Sequence, residues 1–292
     1  MKKKLTPYLL LIPQIILTIL LLAGLVTGIT QSLGVVPAFG LEKPTLAYYK
    51  EILSSPDILA SVLYSLKTAL VSALVATAAG SVICGIFVMA GKTRGAMIRV
   101  IQLPVIFPHV VAALFMINIF SQNGILARIA WMLGLIEEQQ FPLLIYDSWG
   151  IGVILAYIWK EIPFIIYFVI ALMANINGSL GEAAVNLGAG KWTAFWKVTL
   201  PLCKNTIFSG FLIIFVFALG AYETPLLLGA TTPKALPILA YQQYIHPDLT
   251  HRPYAMALNG LIMVISLISA VAYFKLMQKN TRQMSGGEKN ET

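Results

Sequence analysis

Charge is what this chain of 292 residues has least of: Asp, Glu, Lys and Arg make up 11% of it against 58% hydrophobic residues, at a mean hydropathy of +0.82. A water-soluble core cannot hide that much apolar surface, so most of the chain is solvated by lipid. Histidine is scarce as well, with three residues. There is no His-Glu-x-x-His metal pair and no Gly-x-Ser-x-Gly elbow, and His246 and His251 lie beside Pro247 and Pro253, which argues against an intramembrane enzyme. Of the two cysteines, Cys84 falls within an apolar run and Cys203 at the edge of another, so no disulfide is expected, and neither a metal nor a cofactor is implied. Acidic residues number 12 against 20 basic ones, a formal charge of +8. The basic residues are dispersed rather than gathered among aromatics, which excludes a nucleic-acid footprint and fits contact with anionic lipid headgroups.

What the chain does have is long apolar runs. A helix needs about 20 apolar residues to cross a hydrocarbon core of roughly 30 Å. Six segments meet this: 8–30, 59–90, 97–120, 148–175, 205–230 and 254–277. Backbone amides in lipid must be satisfied within each segment, and no segment alternates as a barrel strand does, so the expected fold is an all-α integral membrane protein with six transmembrane helices. Lys2, Lys3, Lys4, Lys92, Arg94, Arg99, Lys191, Lys197, Lys204, Lys275, Lys279, Arg282 and Lys289 fall on one side, with only Glu182, Glu288 and Glu291 beside them. On the other side Lys43, Lys50, Lys67, Arg128, Lys234 and Arg252 are roughly cancelled by Glu42, Glu51, Asp57, Glu137, Glu138, Asp147 and Asp248. The positive-inside rule makes the first side cytoplasmic and puts both termini there, in a multi-pass protein of the cell membrane. Lys2 to Lys4 before an apolar run imitate a signal peptide, but the run is too long and lacks a small-x-small cleavage site, so a retained first helix is expected.

Residues 1–58 read as a first helix and an outer connector, 59–277 as the main transmembrane domain, and 278–292 as a polar cytoplasmic tail. The second span carries Ala73, Ala76, Gly80, Ser81 and Gly85, small residues that let helices approach closely. Gly91 to Gly95 make a tight inner turn. Pro104 and Pro108 then interrupt the third span, which is tolerated where neighbours or a polar cavity satisfy the freed carbonyls. His109, next to the second break, is a lesser pathway candidate.

The most telling stretch is a polar, cationic hairpin, 179–201, between the fourth and fifth spans. Ser179 and Glu182 fit a capping box that starts a helix. Gly188 supplies the left-handed geometry that ends one. Lys191 to Thr199 form a second short helix exposing Trp192, Phe195 and Trp196 among Lys191 and Lys197, before Pro201 resets the direction. Aromatics ringed by charge belong to a protein interface or to the headgroup belt, and composition alone leaves both readings open.

Glu182-Ala183-Ala184, then Gly188, then Val198, Leu200 and Pro201 resemble the EAA loop of permease subunits of binding-protein-dependent ABC importers. The likeness extends over 59–277. It implies the type I, MetI-like permease fold, cytoplasmic ATP-binding subunits, a second permease subunit and an extracytoplasmic solute-binding protein. It also implies that Glu182, Ala183, Ala184 and Gly188 set a coupling loop, and that Trp192, Phe195, Trp196 and Lys197 approach the ATPase. Gly188 to Trp192 lack the first glycine and the Ser/Thr of a phosphate-binding loop, and Met284 to Glu288 only imitate an ATPase signature, so the chain itself is not expected to be an enzyme.

Charges within a span cost about 2.5 to 3.5 kcal/mol each on insertion scales, so Lys160, Glu161 and Glu223 need partners or a wet cavity. With Tyr222 they form the candidate solute path. A structural pair of Lys160 with Glu223 or a neighbouring subunit is the competing reading. Gly220 to Gly229 are similar to the fifth span of permeases in the polyamine, phosphonate and ferric-iron branch. The functional alternative is a secondary transporter or channel, which would work without an ATPase.

Overall fold

The computed structural model describes residues 2–137 and 140–286. Glu138, the side chains of Lys2 to Lys4, Lys279 and Arg282, the signature-like Met284 to Glu288, and the tail residues Lys289 and Glu291 lie in whole or in part outside what it describes. The secondary-structure elements among the described residues are helices, and the only β pairing among them is an isolated bridge between Val36 and Leu41. Among the described residues, six helices are long and apolar enough to cross a membrane: Leu10–Ser32, Pro56–Met89, His109–Met132, Ile151–Asn186, Lys191–Gly220 and Leu249–Lys275.

The chain divides into two units. One comprises residues up to Leu59 together with Leu236–Val264, and the other Ala60–Ala235 with the segment from Ile265 onward. In the first, α1 (Lys2–Ser32) is followed by α2 (Ala47–Ser54), and α13 (Leu236–Tyr244) precedes the start of α14 (Arg252–Gly286). The most apolar stretch of α1 has no buried residue. Tyr49 on α2 donates to Ser32 Oγ at 2.9 Å, and Tyr254 on α14 donates to Glu51 Oε2 at 2.6 Å, which ties the connector together.

In the second unit, α3 (Pro56–Met89) supplies the tightest packing. A Cβ on Gly80 would lie 2.8 Å from Ile165 Cβ on α8 (Ile151–Ile176), and one on Gly210 of α11 (Leu200–Gly220) would lie 2.7 Å from Ile165 Cδ1. Only hydrogen fits at either place, so the small residues set the helix spacing. Thr68 and Ser72 bond their hydroxyls to carbonyls one turn back, which hides polarity inside the helix. Asp147 accepts from the amides of Trp149 at 2.9 Å and Ile151 at 2.8 Å, satisfying donors that the start of α8 would leave open. Cys84 and Cys203 are both buried, both free and within electrostatic reach of each other, so their separation in span and edge does not hold them far apart, although no disulfide forms.

Two spans differ from their expected extents. The third is broken into α4 (Ala96–Ile101), α5 (Leu103–Ile106), α6 (His109–Phe120) and α7 (Ile125–Met132), so the crossing stretch begins at His109 rather than at 97. Pro108 is the cause, because a residue preceding proline is driven out of the helical region, and Phe107 is extended at ψ 133°. The fifth span begins in the hairpin and ends at Gly220. Ala221 is extended, and a separate short helix, α12 (Glu223–Leu228), follows.

Candidate functional site

The hairpin is built on the ends of two long helices. α8 does not stop at Ser179. It passes through a π-helical turn, Asn177–Gly181, into α9 (Glu182–Asn186). The expected capping box is therefore absent: the Ser179 hydroxyl donates back to the carbonyls of Asn175 at 3.0 Å and Ile176 at 3.3 Å instead of receiving from Glu182. A serine can serve either role, and the apolar helix behind it decides the matter. Buried Gly181 admits the returning arm, since a Cβ there would lie 2.8 Å from Asn177 Oδ1 and 3.2 Å from Thr199 Oγ1.

The tip follows expectation. Gly188 takes φ +96°, its amide bonds to Val185 O at 2.9 Å, and that of Ala189 reaches Ala184 O at 3.0 Å, which together make a Schellman cap. Glu182 and Ala183 are exposed and Ala184 half-buried. The return arm, α10 (Lys191–Ala194), runs through a second π-helical turn, Phe195–Thr199, directly into α11. Pro201 does not reset the direction, because it sits in the first turn of α11, where a missing amide proton is tolerated.

Trp192 and Trp196 are about half exposed, at 51% and 50%, and Lys197 is exposed with them. Phe195 is not: it is fully buried, its ring against Gly85 of α3, where a Cβ would stand 2.3 Å from Phe195 Cε2. Phe195 is turned inward while its edge-to-face partners Trp192 and Trp196, at 5.9 and 5.2 Å, stay outside. Sequence reasoning missed Leu187, which is 90% exposed immediately before the cap. The available signal was a large aliphatic side chain directly before the turn glycine, on a segment otherwise polar.

The second set of residues lies deep in the spans. Lys160 and Glu161 are buried on α8, at 7% and 8% exposure. The Lys160 ammonium donates to Phe107 O at 2.7 Å. That carbonyl is one of those freed by the Pro108 break, so the broken span and the buried cation satisfy each other. Glu161 and Glu223 are within electrostatic reach of Lys160, yet its hydrogen bond goes to the backbone, so a Lys160–Glu223 pair is not needed to explain its burial. Glu223 opens α12 and is exposed, and Tyr222 before it is half-buried.

His109 belongs with this group. It stands at the first position of α6, its ring centroid is 5.1 Å from that of Phe217, and it is electrostatically coupled to both Lys160 and Glu223. Its Nδ1 is shielded and has no hydrogen-bond partner among the described residues. The fold thus brings His109, Lys160, Glu161 and Glu223 into one neighbourhood. Among the described residues, no group of three or more His, Cys, Asp or Glu could hold a metal ion.

Residues 76–283 match the family described as "Binding-protein-dependent transport system inner membrane component". The chain is 30% identical over 294 residues, 94% of this chain and 96% of the relative, to the sn-glycerol-3-phosphate transport system permease protein UgpA of Agrobacterium fabrum. It is 23% identical over 249 residues, 84% of this chain and 86% of the relative, to the sulfate transport system permease protein CysT of Escherichia coli. Its fold matches a chain of the bacterial alginate ABC transporter solved with an alginate pentasaccharide-bound periplasmic protein, at TM-score 0.80, 18% identity and 96% coverage of both chains. A chain of the inward-facing MetNI methionine ABC transporter matches at TM-score 0.55 and 16% identity, over 76% of this chain and 94% of that one. The fold is that of the type I importer permeases. With a match across most of its length, this chain belongs to the family of binding-protein-dependent transport system inner membrane components.

Proposed function

We propose that the chain is the permease subunit of an ATP-driven importer, and that the 179–201 hairpin of the 59–277 domain is where separate cytoplasmic ATP-binding subunits take hold. The observation that carries this reading is the hairpin tip, where Leu187, Trp192 and Trp196 are exposed between Glu182 and Lys197 on two arms continuous with α8 and α11. Large apolar side chains ringed by charge are the usual anchors of a protein interface. Glu182, Ala183, Ala184 and Gly188 shape the loop, and Phe195 locks it to α3 from inside. The sidedness follows the cation distribution, with the hairpin and both termini in the cytoplasm. A second permease subunit completes the path, and an extracytoplasmic binding protein delivers the solute.

Within the membrane, the solute passes the His109, Lys160, Glu161 and Glu223 neighbourhood, with Tyr222 at its edge. The named relatives handle sulfate and sn-glycerol-3-phosphate, and the structural neighbour handles the acidic polysaccharide alginate. All three are anionic, so the solute proposed here is an oxyanion or an acidic sugar. The relatives named do not support the polyamine, phosphonate and ferric-iron branch suggested by Gly220 to Gly229, a string too short to carry substrate identity.

Photocrosslinking tests the coupling. A photoreactive amino acid in place of Leu187 or Trp192 in intact cells is expected to trap an ATP-binding subunit and arrest uptake. Trapping of lipid-facing partners only, or full uptake by the isolated chain in liposomes, would favour a secondary transporter or channel.

A further inference from the structure

A groove of about 520 Å³ runs between α3 and α11, within the common size range of about 300 to 1,000 Å³ for small-ligand sites. Leu74, Ala78 and Val82 line one side, and Ile207, Phe208 and Phe211 the other. At the end nearest the hairpin it is bounded by Trp196 and Lys204, both exposed. Lys204 has no partner among the described residues. Thr77 and Ser81 also line the groove, and each is more than nine-tenths buried. Thr77 Oγ1 and Ser81 Oγ are shielded from solvent and have no hydrogen-bond partner among the described residues.

These features fit one kind of occupant. Hydrocarbon alone explains the apolar walls but not two unsatisfied hydroxyls or a cation at the rim, since buried hydroxyls are normally paired. A second copy of this chain packed on the same face would set Lys204 against its own positive counterpart. A molecule with an apolar tail, ester carbonyls and an anionic head satisfies every element: the tail along Leu74 and Phe211, carbonyls reached by rotation of Thr77 and Ser81, the head at Lys204, and Trp196 at the level where indoles prefer to lie.

We propose that the α3–α11 groove is a binding site for an anionic glycerophospholipid of the surrounding bilayer, seated against the base of the hairpin. Because Phe195, Trp196 and Leu200 join the groove wall to the return arm of the hairpin, an occupied groove braces that arm. Only the leaflet, the inner one, is taken from the reading above. The binding itself is independent of it.

The test is native mass spectrometry of the purified complete transporter in detergent, supplied with phosphatidylglycerol or phosphatidylcholine. Phosphatidylglycerol is expected to be retained preferentially. Lys204→Gln should lower its occupancy about fivefold, the worth of one cation at an anionic surface, whereas Lys92→Gln, outside the groove, should not. Ala78→Trp, which fills the groove from an exposed position, should lower occupancy of both lipids. Equal retention of the two lipids, or an unchanged occupancy in Lys204→Gln, would overturn the proposal. So would a photocrosslinker at Ala78 that captures a protein helix, because the groove would then be a contact between subunits. Failure of the hairpin to trap an ATPase, with selective lipid retention intact, would reject the importer reading and leave the lipid site standing.

Discussion

The hairpin tip and the mid-span charge cluster handle awkward side chains in opposite ways. At the tip, apolar side chains are left uncovered: Leu187 is nearly fully exposed, and Trp192 and Trp196 are half exposed. In the spans, charged groups are buried in an apolar setting, and Lys160 is stabilised by a carbonyl that a proline break released. On the proposed reading, the first group is completed by a partner. The second is already satisfied by the chain's own backbone at Lys160, but leaves His109 Nδ1 and exposed Glu223 open. An unsatisfied group is where a ligand or partner gains most, so on the proposed reading the tip and the His109–Glu223 side of the cluster are the functional ends, with Lys160 as much a structural brace as a contact.

The comparison breaks most visibly at the junction between the two regions. Gly85→Ala places a Cβ where the fully buried Phe195 ring lies, so one of them must move. Overpacking of this kind costs about 1–3 kcal/mol, and a lowered thermal midpoint together with lost uptake should follow. If the midpoint and uptake match the wild type, Phe195 does not lock the hairpin. Next comes Lys160→Met, which leaves Phe107 O without its donor and should cost about 1–3 kcal/mol, read as a reduced midpoint in detergent. A variant as stable as the wild type would make Lys160 a path residue and not a brace.

Glu223→Gln separates the roles further. Uptake should fall several-fold while assembly and melting stay as they are, and unchanged transport kinetics would remove Glu223 from the path. The smallest effect lies in the segment 246–251. Hydrogen bonds from the Thr250 amide at 2.9 Å and the Thr250 hydroxyl at 2.8 Å hold the Asp248 carboxyl below its ordinary range. A lowered native value means that the turn has its full stabilisation above the ordinary carboxylate range and loses it as pH falls through the lowered one. The protection factor of the Thr250 amide, its exchange rate relative to the unstructured chain at the same pH, should fall on acidification, and Asp248→Asn should flatten that response without changing uptake at neutral pH.

How much of this was legible beforehand depended on the range of the interaction. Six apolar runs, the breaks at Pro104 and Pro108, and the left-handed turn at Gly188 each rest on a few adjacent residues, and all are found in the fold. The capping box at Ser179 also rests on adjacent residues, yet it lost to the continuing α8, because a serine hydroxyl can return to its own helix when the apolar face carries on. Phe195 was misjudged for a related reason. Its spacing groups it with Trp192 and Trp196, but the fold seats its ring on Gly85, 110 positions earlier in the chain, a contact that no local pattern announces. The partnership of Lys160 with Phe107 O joins residues 53 apart and involves a backbone atom, so no residue pattern announces it.

One property of the arms bears on how work would be delivered. From Lys160 to Asn186 the helix runs on through Pro163 and the π-helical turn Asn177–Gly181 without a loop, a rod of about 40 Å at roughly 1.5 Å per residue. A flexible strap conveys tension only, but a stiff rod conveys thrust as readily as pull. On the proposed reading, then, a single knuckle serves both strokes of the cycle, closing the passage and reopening it, with no second linkage to restore the starting position.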